Sequence, residues 1–197
     1  LRVVRGYATD AEDAQRRMIR GVYTLGDGTE ITVFNGYFPQ GESRDHPIKF
    51  PAKEAFYRDL LTTLETEYTP SDQIVIMGDF NIAPVDHDIG ITDDAKKRWL
   101  RTGKTSFLPE ERAWFERLIQ WGLVDSWRSV HPEVSDRYSW FDYRSRGFED
   151  DPKRGLRIDH ILVSKPLMER MTDCGIDYTL RAMDKPSDHC PVWITLE

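Results

Sequence analysis

Ile74-Val75-Ile76-Met77-Gly78-Asp79-Phe80-Asn81 is an unbroken apolar run that ends in a glycine and two polar side chains. A short β-branched run bounded by turn residues marks a strand buried on both faces, since a half-buried strand would alternate. A strand that dry needs cover on each side, which argues for stacked layers. Side chains alternate along extended backbone, so Asp79 and Asn81 share one face while Phe80 takes the other. A carboxylate and an amide together at a strand end suit a hard divalent cation or an attacking water. Asp and Asn there also serve as ordinary turn formers.

Outward from this stretch, further short apolar runs at 31–34, 158–163, 176–180 and 192–196 read as strands, with 138–143 an aromatic-rich candidate. Between them, residues 53–66 place Phe56, Leu60, Leu61 and Leu64 on one side of a helix, with Pro51 as a start signal. Pro109 opens a second helix whose first turn carries Glu110 and Glu111, favoured by the helix dipole. Trp114, Phe115, Leu118 and Ile119 form its apolar stripe, and Gly122 can cap its end. Strands and helices do not alternate strictly, so the expectation is an α+β domain with sheets packed on one another and helices outside.

At 197 residues the chain fits one domain with a proper core. No apolar run approaches the roughly 20 residues a membrane helix needs. Two cysteines, Cys174 and Cys190, make no disulfide framework, and a reduced cytoplasm is the expected home. A net charge of −7 argues against holding nucleic acid by bulk positive charge, but leaves open an enzyme with local contacts and an acidic metal site.

Two more polar sets fall at strand ends. Lys185-Pro186-Ser187-Asp188-His189-Cys190-Pro191 puts an acid and an imidazole just ahead of the 192–196 strand. Neighbours on extended chain point to opposite sides, so Ser187, Asp188 and His189 cannot form a hydrolytic relay among themselves. Gly155-Leu156-Arg157-Ile158-Asp159-His160 places Asp159 in an otherwise apolar strand. A buried carboxylate needs a partner, and a histidine is a fitting one; the plain alternatives are a surface-facing Asp on an edge strand or a salt bridge to Arg157. His160 by itself reads as structural.

Together, Gly78-Asp79-x-Asn81, the 155–159 segment and Ser187-Asp188-His189 resemble the motifs of the endonuclease/exonuclease/phosphatase superfamily. Asn35-Gly36-Tyr37-Phe38-Pro39-Gln40-Gly41-Glu42, Trp99-Leu100-Arg101-Thr102-Gly103-Lys104 and Ser139-Trp140-Phe141-Asp142-Tyr143-Arg144-Ser145 narrow the resemblance to its bacterial exonuclease III branch, over essentially the whole chain. The resemblance implies a four-layer α/β/β/α sandwich, DNase I-like. It implies a Mg2+- or Mn2+-dependent enzyme on double-stranded DNA, cleaving 5′ to abasic sites and removing nucleotides and blocking groups from 3′ ends.

By that resemblance, Asp79 activates or orients the attacking water and Asn81 orients Asp79 and helps hold the phosphate. His189, positioned by Asp159, contacts the scissile phosphate, and the phenol of Tyr37 can hydrogen-bond the phosphate or leaving group. Asp79, Asn81 and Asp188 are the expected metal-site members. Trp140, Phe141 and Leu156 match an apolar pocket for a flipped-out baseless sugar. Gln40, Arg144 and Arg146, with the basic segment Lys96, Lys97, Arg98, Arg101 and Lys104, would track the DNA backbone; a solvated helix face is the plainer account of that segment.

The opening differs from the branch. Leu1-Arg2-Val3-Val4 resembles a point well inside the family pattern. The expectation is therefore an N-terminally truncated domain over 1–197, lacking some core strands and the family's metal-binding glutamate. Such a chain would expose apolar surface, bind metal weakly and cleave slowly by itself, although a monomer is expected. The alternatives are a silent DNA-binding remnant, or another phosphoesterase of the same superfamily.

Overall fold

The computed structural model describes residues 1–10 and 14–197. A six-stranded sheet runs in the order β1-β2-β3-β4-β6-β5, and β7 and β8 form a separate hairpin. Its strands are β1 (Arg2–Arg5), β2 (Met18–Thr24), β3 (Glu30–Tyr37), β4 (Ile74–Asp79), β5 (Leu123–Asp125) and β6 (Asp159–Ser164). Among the described strands only β3 and β4 pair in parallel, and the crossover between them is α1 (Lys49–Glu67); α2 (Asp93–Arg101), α4 (Ser126–Val130) and α5 (Lys165–Met168) are shorter helices further along the chain.

The dry 74–77 run owes its composition to cover on both sides. Ile74, Ile76 and Phe80 join Phe34 and Leu162 against Tyr57, Leu60 and Leu64 of α1 and Trp114, Phe115 and Leu118 of α3 (Pro109–Trp121). Val75 and Met77 point the other way, with Val33, Ile161 and Val163, onto Val192, Ile194 and Leu196 of β8 (Val192–Leu196). The hairpin partner is β7 (Met171–Ile176). Helices, mixed sheet and hairpin thus stack as layers, in keeping with the α+β expectation.

Both anticipated helices form, with local reasons for their starts. α1 begins earlier than Pro51 because His46 Nδ1 accepts the backbone N–H groups of Ile48 (3.2 Å) and Lys49 (3.1 Å). In α3, Pro109 sits at the start and Glu111 turns back to accept Leu108 N–H at 2.8 Å.

Two strand expectations are corrected. Residues 176–180 are not a strand: β7 ends at Ile176, and Asp177 caps a helical turn, α6 (Tyr178–Arg181), by accepting Leu180 N–H at 3.0 Å. Residues 138–143 form no ladder. Trp140 makes isolated bridges to Leu156 and His189, while the aromatic rings serve packing.

The hairpin covers only part of its sheet face. Val3, Ile19 and Tyr23, which stand in register with Val33, Asn35 and Ile31 through β2, are 49%, 42% and 48% exposed. Among the described residues no helix is long and apolar enough to cross a membrane.

Candidate active site

The sheet ladder brings three of the candidate residues into one row. Tyr37 stands opposite Asp79 across β3 and β4, and Asp79 opposite Asp159 across β4 and β6. All three project from the face that carries the hairpin, by the alternation that places Val75 and Ile161 there. His189, in the turn before β8, closes over the row: its Nδ1 donates to Asp159 Oδ2 at 2.9 Å and is 3.1 Å from Oδ1. A carboxylate can only accept, so Nδ1 carries the proton and Nε2 is left for another partner.

Asn81 leaves the strand with φ 54°. Asparagine tolerates this left-handed conformation better than most residues. The turn folds its amide back, so that Nδ2 donates to Asp79 Oδ2 and to Phe38 O, each at 3.0 Å, while its backbone N–H donates to Asp79 Oδ1 at 2.9 Å. Gly78 permits the approach of β3 and β4: at φ 140° a Cβ there would lie 1.9 Å from Gly36 O.

Electrostatics follow from this crowding. Burial, then the neighbouring Asp159 charge, pushes the Asp79 carboxyl up from 3.8 to about 6. Burial works against the charged form of His189, but the hydrogen bond and charge of Asp159, with Asp79 and Asp188 beyond, hold its pKa above the ordinary value. One donor atom each from Asp79, Asp159 and His189 lies within 4.8 Å of the others. Two carboxylates forced together in a half-buried place, with an imidazole alongside, fit a divalent cation.

A cavity of about 270 Å³ opens on this group. Tyr37, Gln40, Asn81, Trp140, Leu156 and Asp188 line it. Its wall also takes in Trp99, Lys104, Ser106 and Ile158. Trp99 stacks on Phe107 with planes 8° apart, and Lys104 Nζ sits 3.6 Å above the Trp99 ring. Other expected residues lie elsewhere. Phe141 is fully buried against Tyr138, Phe148 and Tyr178, so it is core and not a cavity wall. Lys97, Arg101 and Arg144 are exposed and outside the cavity. Asp188 is not among the converging donors; its Oδ2 accepts the Trp140 indole N–H at 3.0 Å.

Two buried ion networks hold the site from behind. Lys53 and Glu111 pair at 2.5 Å, both fully buried. Lys53 Nζ also donates to Asn81 O at 2.8 Å and Gln40 O at 3.3 Å, while Glu111 accepts the N–H of Ser106 and Leu108. One ion pair between α1 and α3 therefore pins three cavity-lining loops. Arg157 does not pair with Asp159. It grips Asp88 (2.7 and 3.0 Å) and Asp125 (2.6 and 3.1 Å), and burial notwithstanding, it holds Asp125 far below the usual carboxylate range. His160 is structural: its Nε2 donates to Ile82 O at 2.8 Å, so Nδ1 accepts from Arg157 at 2.9 Å. Nothing in the local sequence marked the pairing of Lys53 with Glu111 or of Asp88 with Arg157, whose members lie 58 and 69 residues apart.

Residues 4–189 match the model of the endonuclease/exonuclease/phosphatase family. The chain belongs to that family. Within it, the chain is 61% identical over 189 residues to exodeoxyribonuclease III of Haemophilus influenzae, covering 96% of this chain and 70% of the relative. In structure it resembles the 3′-5′ exonuclease NExo of Neisseria meningitidis (TM-score 0.82, 38% identity, 99% of this chain and 70% of the other). It also resembles an AP endonuclease of Archaeoglobus fulgidus (TM-score 0.84, 30% identity, 99% and 70%). The fold is thus the DNase I-like one of this family, and the chain is a metal-dependent hydrolase of phosphodiester bonds.

Proposed function

We propose that the chain is a DNA-repair nuclease that cleaves duplex DNA 5′ to abasic sites and trims 3′ ends. The single observation that carries this is the pairing of an Asp79–Asn81 unit with an Asp159–His189 unit across one cavity floored by apolar side chains. Its relatives named for exonuclease III, 3′-5′ exonuclease and AP endonuclease activities support the choice of substrate.

Phosphoryl transfer is chiefly a matter of positioning and charge neutralisation. Asp79, held by Asn81, orients the attacking water and takes up its proton. The Asn81 amide nitrogen is committed to Asp79, which leaves its oxygen to help hold the phosphate. His189 presents Nε2 to a phosphate oxygen, and Asp159 keeps it cationic and correctly turned. Tyr37, 59% exposed with Arg17 5.0 Å over its ring, offers its hydroxyl to the phosphate or leaving oxygen. Asp79 and Asp159 would hold a divalent cation, Mg2+ or Mn2+, which when bound neutralises phosphate charge. Trp140, Leu156 and Ile158 give a dry wall suited to a sugar without its base. The two free, buried cysteines suit a reducing, DNA-containing cytoplasm.

The test is cleavage of a duplex with one synthetic abasic site, with Mg2+, Mn2+ or chelator. Incision that needs the cation and falls by about a hundredfold or more in H189A and D79N is expected. Cleavage of phosphoinositides in preference to the duplex would overturn the assignment.

A further inference from the structure

The motif Ser187-Asp188-His189 divides its labour between two partners. His189 turns to Asp159, whereas Asp188, the next residue back, turns to Trp140. An indole has one donor and no acceptor, and a carboxylate only accepts, so the 3.0 Å Nε1–H···Oδ2 contact is a charge-assisted hydrogen bond of defined direction.

The main chain around Trp140 is secured without that side chain. Trp140 N–H donates to Leu156 O (2.9 Å), Leu156 N–H to Trp140 O (3.0 Å), Phe141 N–H to Asp188 O (2.9 Å) and Cys190 N–H to Ser139 O (2.6 Å). The Asp188 carboxylate therefore has one thing left to fix, the orientation of the ring within the cavity wall. Trp140 is only partly buried there, and a ring packed on one side can sample several χ rotamers.

We propose that Asp188 is a positioning residue for substrate choice: it locks the Trp140 indole as a wall of the cavity and so favours a baseless sugar over an ordinary nucleotide. This deepens, and rests on, the assignment of the cavity to abasic DNA. It assigns Asp188 to the substrate wall instead of the cation.

The experiment compares D188A, D188N, W140F and the double variant D188A/W140F. Two rates are measured on each chain: incision at an abasic site, and removal of a normal 3′ nucleotide. D188A is expected to lower the ratio of the two by roughly tenfold, the scale of a lost hydrogen bond to a charged group. In D188N the amide oxygen can still accept the indole, so the ratio stays within about twofold. In W140F, which has no N–H to hold, adding D188A changes the ratio no further. The Trp140 indole N–H resonance, assigned by its loss in W140F, should move in D188A and hold in D188N.

A ratio that falls equally in D188N and D188A would mean that the charge matters, not the hydrogen bond, and would overturn the proposal. An unmoved resonance in D188A would do the same. A chain with no preference for the abasic duplex before any substitution sinks the cavity assignment itself; a preference that D188A leaves intact sinks this inference alone.

Discussion

Asp79 and Asp159 face each other as registered partners on adjacent antiparallel strands, so the fold itself forces two carboxylates into one half-buried place. Left alone, such a pair keeps a proton that either acid would release in water.

That proton should set an acid limit on turnover. With Asp79 raised from 3.8 to about 6 by burial and by Asp159, activity at low cation concentration should rise with pH through about 6 and level off above it. More cation should move the limb to lower pH, since positive charge favours the ionised carboxyl. A pH–rate profile of kcat/KM at two Mg2+ concentrations checks this; a limb that ignores the cation refutes it.

Stability in chelator should run the opposite way. Between 3.8 and about 6 the folded chain binds more protons at Asp79 than the unfolded chain does, so stability falls as pH rises through that window. The loss is on the order of 1–3 kcal/mol. D79N, which has nothing to titrate, should flatten this part of the curve. Urea denaturation at pH 4.5 and 7.5 measures it.

His189 should set the alkaline limit. Its pKa lies above the ordinary value because Asp159 stabilises the cation against the opposing effect of burial, so turnover should fall as pH rises through the raised value. In D159N that support is lost, and the alkaline limb should shift to lower pH while turnover drops at neutral pH. An unshifted limb would remove the Asp159–His189 pair as its cause.

Arg157→Met should unfold what Asp159→Asn leaves standing. It strands the Asp125 carboxylate in the interior without its guanidinium and leaves Asp88 with Arg128 alone, a cost of roughly 3–5 kcal/mol. D159N should cost far less, since His189 and its partner are part-exposed. Denaturant midpoints distinguish the two.

Lys53 and Glu111 should behave as a unit. K53M leaves Glu111 buried and unpaired and should cost about 3 kcal/mol. Adding E111Q should recover part of that loss, because the stranded charge is gone while an amide oxygen still accepts Ser106 or Leu108 N–H. Strictly additive losses would show that the two do not interact.

Residues whose surroundings are local could be read from the chain. The 74–77 and 192–196 runs are apolar because layers cover them, and the 109–121 helix announces itself by its proline, its acidic first turn and its stripe. The three polar sets at strand ends converge in space. β7 escaped because Thr172 and Asp173 face solvent and break its pattern, leaving 176–180 as the more apolar stretch. The resemblance assigns Phe141 to the cavity with Trp140, but its ring packs into the core among Tyr138, Phe148 and Tyr178, contacts between segments distant in sequence. Asp188 has the composition of a cation ligand, and only three-dimensional contact shows it beside an indole. The long-range ion pairs left no local mark at all.

The placement of Arg157 two residues before Asp159 has a consequence for genetics. Both sit in one short conspicuous segment, and loss of either should silence the protein, one by collapse and one by chemistry. A selection for repair-deficient alleles will return both, and cell survival will not tell them apart. Protein abundance will: Arg157 alleles should be cleared by proteolysis, whereas Asp159 alleles should accumulate as folded protein that can still occupy DNA.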